Sequence, residues 1–138
     1  MSNKSPDVCG ILIIEVMNLK NENLTPDKAK ILVRELWPEN RLAFLVALYC
    51  RLSVERVLRL RSSALRPSGV YVSGREYWLP EQVLAALRRI SDDSYIFPHR
   101  DFAGRHRTKQ AVYCDFRRAC RQLGYSRITP RQLLAFLV

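Results

Sequence analysis

A mainly helical domain carrying one small β-hairpin is the fold class this sequence predicts, and three observations predict it. Apolar residues recur at helical spacing along most of the chain, and helix-start and helix-stop residues bracket those stretches. The spacing turns to strict alternation at only one place, on either side of a Ser-Gly dipeptide. At 138 residues there is room for one modest domain, and 48% apolar against 26% charged residues is a globular balance.

The elements follow in order. Val8, Ile11, Leu12, Ile13, Ile14, Val16, Met17 and Leu19 crowd one short apolar segment, so residues 1–22 are set apart as a candidate docking or dimerisation helix. Residues 23–138 form the domain proper. Thr25-Pro26-Asp27 opens its first helix, expected over 28–37: Thr25 caps free amides, Pro26 suits the first helical position and Asp27 faces the positive end of the dipole. Pro38 ends that helix, and a second is expected over 39–50, with Leu42, Leu45, Val46, Leu48 and Tyr49 toward the core. Ser53 caps a third over 54–60.

Val70-Tyr71-Val72 and the run from Arg75 to Leu79, joined by Ser73-Gly74, predict the hairpin. A helix over 80–90 follows, then the segment Tyr95-Ile96-Phe97-Pro98 and a polar, basic loop over 99–108. The next helix spans 109–123 and stops at Gly124, and Thr129-Pro130 opens a last one over 131–138. Trp37, Trp78, Tyr77 and Phe97 stand in apolar settings and are expected in the core.

Charge is the first functional signal. With 23 Lys and Arg against 13 Asp and Glu the net charge is +10. Residues 1–50 are neutral in sum, so the whole excess lies in 51–138, and every basic residue there except Lys109 is an arginine. Arginine offers a planar, bidentate fork that fits phosphate and guanine edges, which points to a polyanionic partner. Between Arg100 and Arg131 nine basic residues meet only Asp101 and Asp115. Cys9, Cys50, Cys114 and Cys120 form no C-x-x-C pair, and His99 and His106 add no zinc-like spacing, so reduced thiols and no cofactor or metal are expected. The stretch from Gly10 to Ile14 is broken by Glu15 and lacks a basic flank and a cleavage site, which argues against a signal peptide or membrane span and for a cytoplasmic protein.

Over residues 23–138 the succession of motifs resembles the catalytic domain of tyrosine recombinases, the phage-integrase family. The resemblance is carried by Leu24-Thr25-Pro26-Asp27, by the run from Arg41 to Tyr49, by the run from Val57 to Leu65 and by the hairpin with Tyr77-Trp78-Leu79-Pro80. Tyr95-Ile96-Phe97-Pro98, the helix centred on Arg118-Ala119-Cys120-Arg121 and Ile128-Thr129-Pro130 then follow in the family's order. It implies an integrase-like fold and contact with double-stranded DNA.

The departures bear on activity. Ungapped alignment on residues 57–65 puts Ser53 where the family has its first catalytic arginine, and Arg51 takes that place only after a slip of two residues. The hairpin offers Val72, Ser73 and Gly74 where the family has a catalytic lysine, with Arg75 beyond the turn; arginine stays protonated and is a poor acid. After Thr129-Pro130 the family's His-x-x-Arg is replaced by Arg131 and Leu134, and the family's nucleophilic tyrosine falls beyond Val138. Phosphodiester attack needs paired guanidiniums and an acid for the leaving oxygen, and losing one such donor costs on the order of 10² to 10³ in rate.

The expectation is therefore a non-catalytic DNA-binding protein of a mobile element such as a plasmid or phage, acting at a recombination or conjugative-transfer site. Arg117, Arg118 and Arg121 are assigned to groove or phosphate contacts, Arg105, Arg107 and Lys109 to phosphates, Arg75 to contact from the hairpin tip, and Arg51 and Arg131 to a vestigial cleft. Two other readings stay open: a relaxase-like nicking enzyme using Tyr113 or Tyr125, and a basic adaptor for protein or RNA that assembles through its apolar N-terminal segment.

Overall fold

The computed structural model describes residues 24–125 and 128–137. The expectation of an N-terminal docking helix lies outside the described residues. Among the described residues six α-helices and one two-stranded sheet follow in the order α1 (Pro26–Glu35), α2 (Pro38–Cys50), α3 (Val54–Leu58), β1 (Gly69–Val72), β2 (Arg75–Trp78), α4 (Glu81–Ile90), α5 (Lys109–Leu123) and α6 (Pro130–Leu137). A mainly helical chain with one small hairpin is thus the architecture. Among the described residues no helix is long and apolar enough to cross a membrane.

Local chemistry explains the boundaries. The Thr25 hydroxyl accepts from the Lys28 amide at 3.2 Å, and Pro26 takes the first helical position as its cap chemistry requires, although the helix body is expected only from residue 28. It also ends earlier, at Glu35. A residue before proline is pushed out of the helical region, and both Leu36 and Trp37 are extended ahead of Pro38. Pro38 itself opens α2, where its missing N–H costs nothing. The Arg41 guanidinium then reaches back to the carbonyls of Val33, Arg34 and Leu36 and satisfies the end of α1. Helix α3 stops at Leu58 rather than residue 60, and a 3-10 turn over Ser62–Ala64 follows.

The hairpin is antiparallel, with Val72 opposite Arg75 and Val70 opposite Tyr77. Its two-residue turn holds Ser73 at φ 53° and Gly74 at φ 79°, the left-handed pair that matches the twist of adjoining strands. Gly124, at φ 75°, ends α5 in the same left-handed region, with the Tyr125 amide bonded to the Cys120 carbonyl.

Helix α2 runs through the middle. Asn40, Ala43, Phe44, Val46, Ala47 and Cys50 are all buried on it, and it packs against α1, α3, α4, α6 and β2. Phe44 stacks on Phe116 of α5, with ring centroids 5.8 Å apart. Leu32, Leu58, Leu87, Ile96, Phe97 and Leu133 complete the core from the other elements.

Of the five aromatics expected inside, Phe97 is buried and Tyr77 half-buried, but Tyr49, exposed near the end of α2, and the two tryptophans are corrected. Trp78 is 65% exposed on the outer side of β2, edge-on to Tyr49, and Trp37 is 44% exposed at the α1–α2 junction. Guanidiniums flank the Trp37 ring instead of apolar side chains: Arg100 at 5.6 Å and Arg118 at 5.5 Å.

Cys50, Cys114 and Cys120 are free thiols, the first and last of them buried. Burial pushes the Cys50 thiol from 9.0 up to about 11. The unfolded chain therefore releases this proton first. The stability that a neutral Cys50 contributes is fully present below pH 9.0 and is lost as pH rises toward about 11. Urea denaturation near pH 8 and near pH 10.5 should show wild type losing on the order of 2 kcal/mol more over that interval than Cys50→Ala. Parallel losses in the two proteins would contradict it.

Candidate nucleic-acid interface

The basic residues assigned from the sequence separate into three groups once the fold is in place, and only the third forms a continuous surface.

The first group is structural. Arg118 of α5 turns toward α1, where its Nε donates to Asp115 Oδ1 at 2.9 Å and its Nη2 donates to the same oxygen at 2.5 Å. Nη2 also reaches the Glu35 carbonyl at 2.9 Å, Nη1 reaches Gln122 Oε1, and the Glu35 carboxylate stands 3.6 Å away. Its hydrogen bonds to Asp115 hold the guanidinium above its ordinary pKa, so its charge is committed there. The other Asp115 oxygen accepts from the Trp37 amide at 2.9 Å and from Asn40 Nδ2 at 2.7 Å, and both Asp115 and Asn40 are fully inside. Arg118 is therefore corrected from a DNA contact to a staple between α5 and the α1–α2 junction.

Arg107 needs the same correction. It is only 6% exposed, its Nε donates to Asn40 Oδ1 at 2.6 Å, and its backbone amide bonds to the Phe97 carbonyl. Burial lowers its pKa. A guanidinium so recessed does not meet the phosphates of a passing duplex.

The second group is dispersed. Arg51 ends α2 in the left-handed conformation, at φ 55°, with its side chain exposed. Arg75 is exposed at the hairpin tip, 5.8 Å from the Tyr77 ring; Arg121, by contrast, is exposed on the last turn of α5, four residues beyond Arg117 and on the same face as the third group. The cavity that holds Arg131 is lined by residues of α5 and the start of α6 and not by Arg51, so the structure does not join the two proposed halves of a vestigial cleft. Leu134 packs against the core.

The third group is continuous. Arg61 lies over the Tyr95 ring at 4.5 Å, and Tyr95 meets the His106 ring edge-on at 5.4 Å. His106 Nδ1 donates to the Arg107 carbonyl at 2.8 Å, which fixes the ring. The neighbouring loop is held by His99, whose Nδ1 accepts from the amides of Asp101 and Phe102. Thr108 caps α5 by accepting from the Ala111 amide at 3.1 Å.

His106 and Thr108 line two adjoining clefts. One also contains Arg105 and Tyr95; the other contains Arg59, Lys109 and Gln110. Lys109 Nζ lies 5.7 Å from the Tyr113 ring, and Tyr113 opens a further cleft of about 520 Å³ shared with Arg117, Thr129 and Arg131. Lys109, Tyr113 and Arg117 stand four residues apart, one above another on α5. Of the described residues lining these clefts only Glu55 is acidic, and it is bonded to Arg59 at 3.5 Å.

Four sequence-assigned residues, Arg105, Lys109, Arg117 and Arg131, thus lie along one track, and the structure adds Arg59, Arg61, Tyr95 and His106. The stacking of Arg61 on Tyr95 had no local signature, because 34 residues of chain separate them. Of the two tyrosines considered as nucleophiles, Tyr113 shares a cleft with Arg117 and Arg131, whereas Tyr125 packs against the core beneath Lys28. Compared with protein-family models, with curated proteins and with solved structures, the chain finds no match.

Proposed function

We propose that this chain is a non-catalytic, duplex-DNA-binding protein derived from a tyrosine-recombinase scaffold and serving a recombination or transfer site of a mobile element. The observation that carries the reading is the unbroken basic track from Arg105 through Lys109 to Arg117 and Arg131, interleaved with Tyr95, His106 and Tyr113 and nearly free of acids. Such a track suits a polyphosphate backbone, whose binding is dominated by counterion release. Lack of catalysis follows from the residues at the family's reactive positions: Ser53, the Ser73-Gly74 turn and Leu134 supply neither paired guanidiniums nor a proton donor.

A mobility-shift titration against duplex, single-stranded DNA and RNA at two salt concentrations tests this. Preference for duplex is expected, with log affinity falling by about 0.9 per contacted phosphate for each tenfold rise in salt. Tighter binding to RNA or to an acidic protein would favour the adaptor reading. Tyr113, placed between guanidiniums, favours one further alternative, strand nicking. Incubation with supercoiled plasmid and Mg²⁺ is expected to give no covalent adduct, and an adduct abolished by Tyr113→Phe would reinstate it.

A further inference from the structure

Arg107 presents an imbalance that the staple does not resolve. Its guanidinium stays charged and is only 6% exposed, yet among the described residues only its Nε makes a side-chain hydrogen bond, to the neutral amide oxygen of Asn40. Among the described residues neither Nη group has a partner and no carboxylate lies within ion-pairing distance; Glu39 and Asp115, the latter across Asn40, act on it only from farther off. A buried charge left this way is costly unless an anion meets it.

The surroundings provide for one. Arg107 lines a cavity of about 410 Å³ whose wall carries Arg89 at the end of α4, Arg100 and His99, with Phe97 as an apolar surface. Among the described residues Glu39 is the single acid on that wall against three guanidiniums. Arg100 is held by its stacking on Trp37, so the positive wall is partly preset.

We propose that this cavity is a binding site for a phosphate monoester dianion, with the recessed Arg107 at its base and Arg89 and Arg100 at its mouth. A terminal phosphate enters such a recess; the diester of an uninterrupted duplex stays outside it. The ligand is either a small phosphorylated molecule or the 5′-phosphate of a strand end, and both present the same group to the same fork. The site adjoins the basic track at His99, which lines both, but its three guanidiniums are not those of the track and it does not depend on the duplex-binding reading.

Titration of the full chain with inorganic phosphate, followed by calorimetry and by the rise in Tm over sodium chloride of matched ionic strength, tests it. Saturable binding is expected, with a dissociation constant at least tenfold weaker in Arg89→Ala/Arg100→Ala, which alters exposed residues and leaves Arg107 in place. Arg107→Lys, which keeps the charge and loses the fork, should weaken binding comparably. A short duplex with a 5′-phosphate that binds more tightly than its 5′-hydroxyl counterpart, a difference lost in the double variant, would identify strand ends as the source; no difference, with phosphate still bound, would identify a small molecule. Phosphate acting no better than chloride, or acting equally on wild type and double variant, would overturn the site. The double variant should bind plain duplex like wild type, so this failure is distinguishable from failure of the duplex reading.

Discussion

Replacing Lys109, Arg117 and Arg131 together by alanine is expected to weaken duplex binding on the order of 10²-fold at physiological salt and to flatten the salt dependence by roughly three phosphate contacts. The three side chains lie along the middle and far end of the basic track, and none makes an ion pair among the described residues. Their loss should therefore leave the fold intact. Fluorescence anisotropy with a labelled duplex at several salt concentrations measures both quantities. Arg51→Ala and Arg75→Ala, away from the continuous track, should each change affinity less than the triple variant does. Full affinity and an unchanged slope in the triple variant would remove the basis of the proposed function.

Asp115→Ala is expected to be the most destabilising single change in the buried polar network. One carboxylate accepts from Arg118, Asn40 and the Trp37 amide, and truncation strands all three donors at once. Breaking a buried pair of this kind costs about 3 to 5 kcal/mol. For a domain of this size that is a fall in Tm of roughly 10 to 20 °C by scanning calorimetry. Asp115→Asn keeps the volume and one acceptor oxygen and should lose less. Arg118→Ala should fall between them, because its guanidinium is 30% exposed and its removal leaves the carboxylate two neutral donors. A loss below about 1 kcal/mol for Asp115→Ala would mean that the network does not hold the junction.

Much of the fold was legible because its signals are local. Thr25, Ser53 and Thr108 each accept from an amide three residues on, and Gly124 and the Ser73-Gly74 turn need only their own backbone angles. The sites of the long side chains were less legible. Arg107 finds Asn40 across 67 residues and Arg118 finds the Glu35 carbonyl across 83, and no spacing rule within a helix anticipates either. A count of arginines treats all of them as surface; the fold turns Arg107 and Arg118 inward to side-chain partners. One clue stood in the sequence: Asp115, the lone acid of α5, precedes Arg118 by three residues, the spacing of an intrahelical pair.

The position of Trp37 ties distant parts of the molecule together. Its indole is clasped between the guanidinium that anchors α5 and the one that stands at the mouth of the anion cavity. Whatever draws Arg100 inward also shifts one side of that clasp, while Trp78, the other tryptophan, sits on the hairpin beside Tyr49. The chain thus carries an intrinsic optical gauge for events at the cavity mouth, with a second indole on the hairpin to serve as its reference.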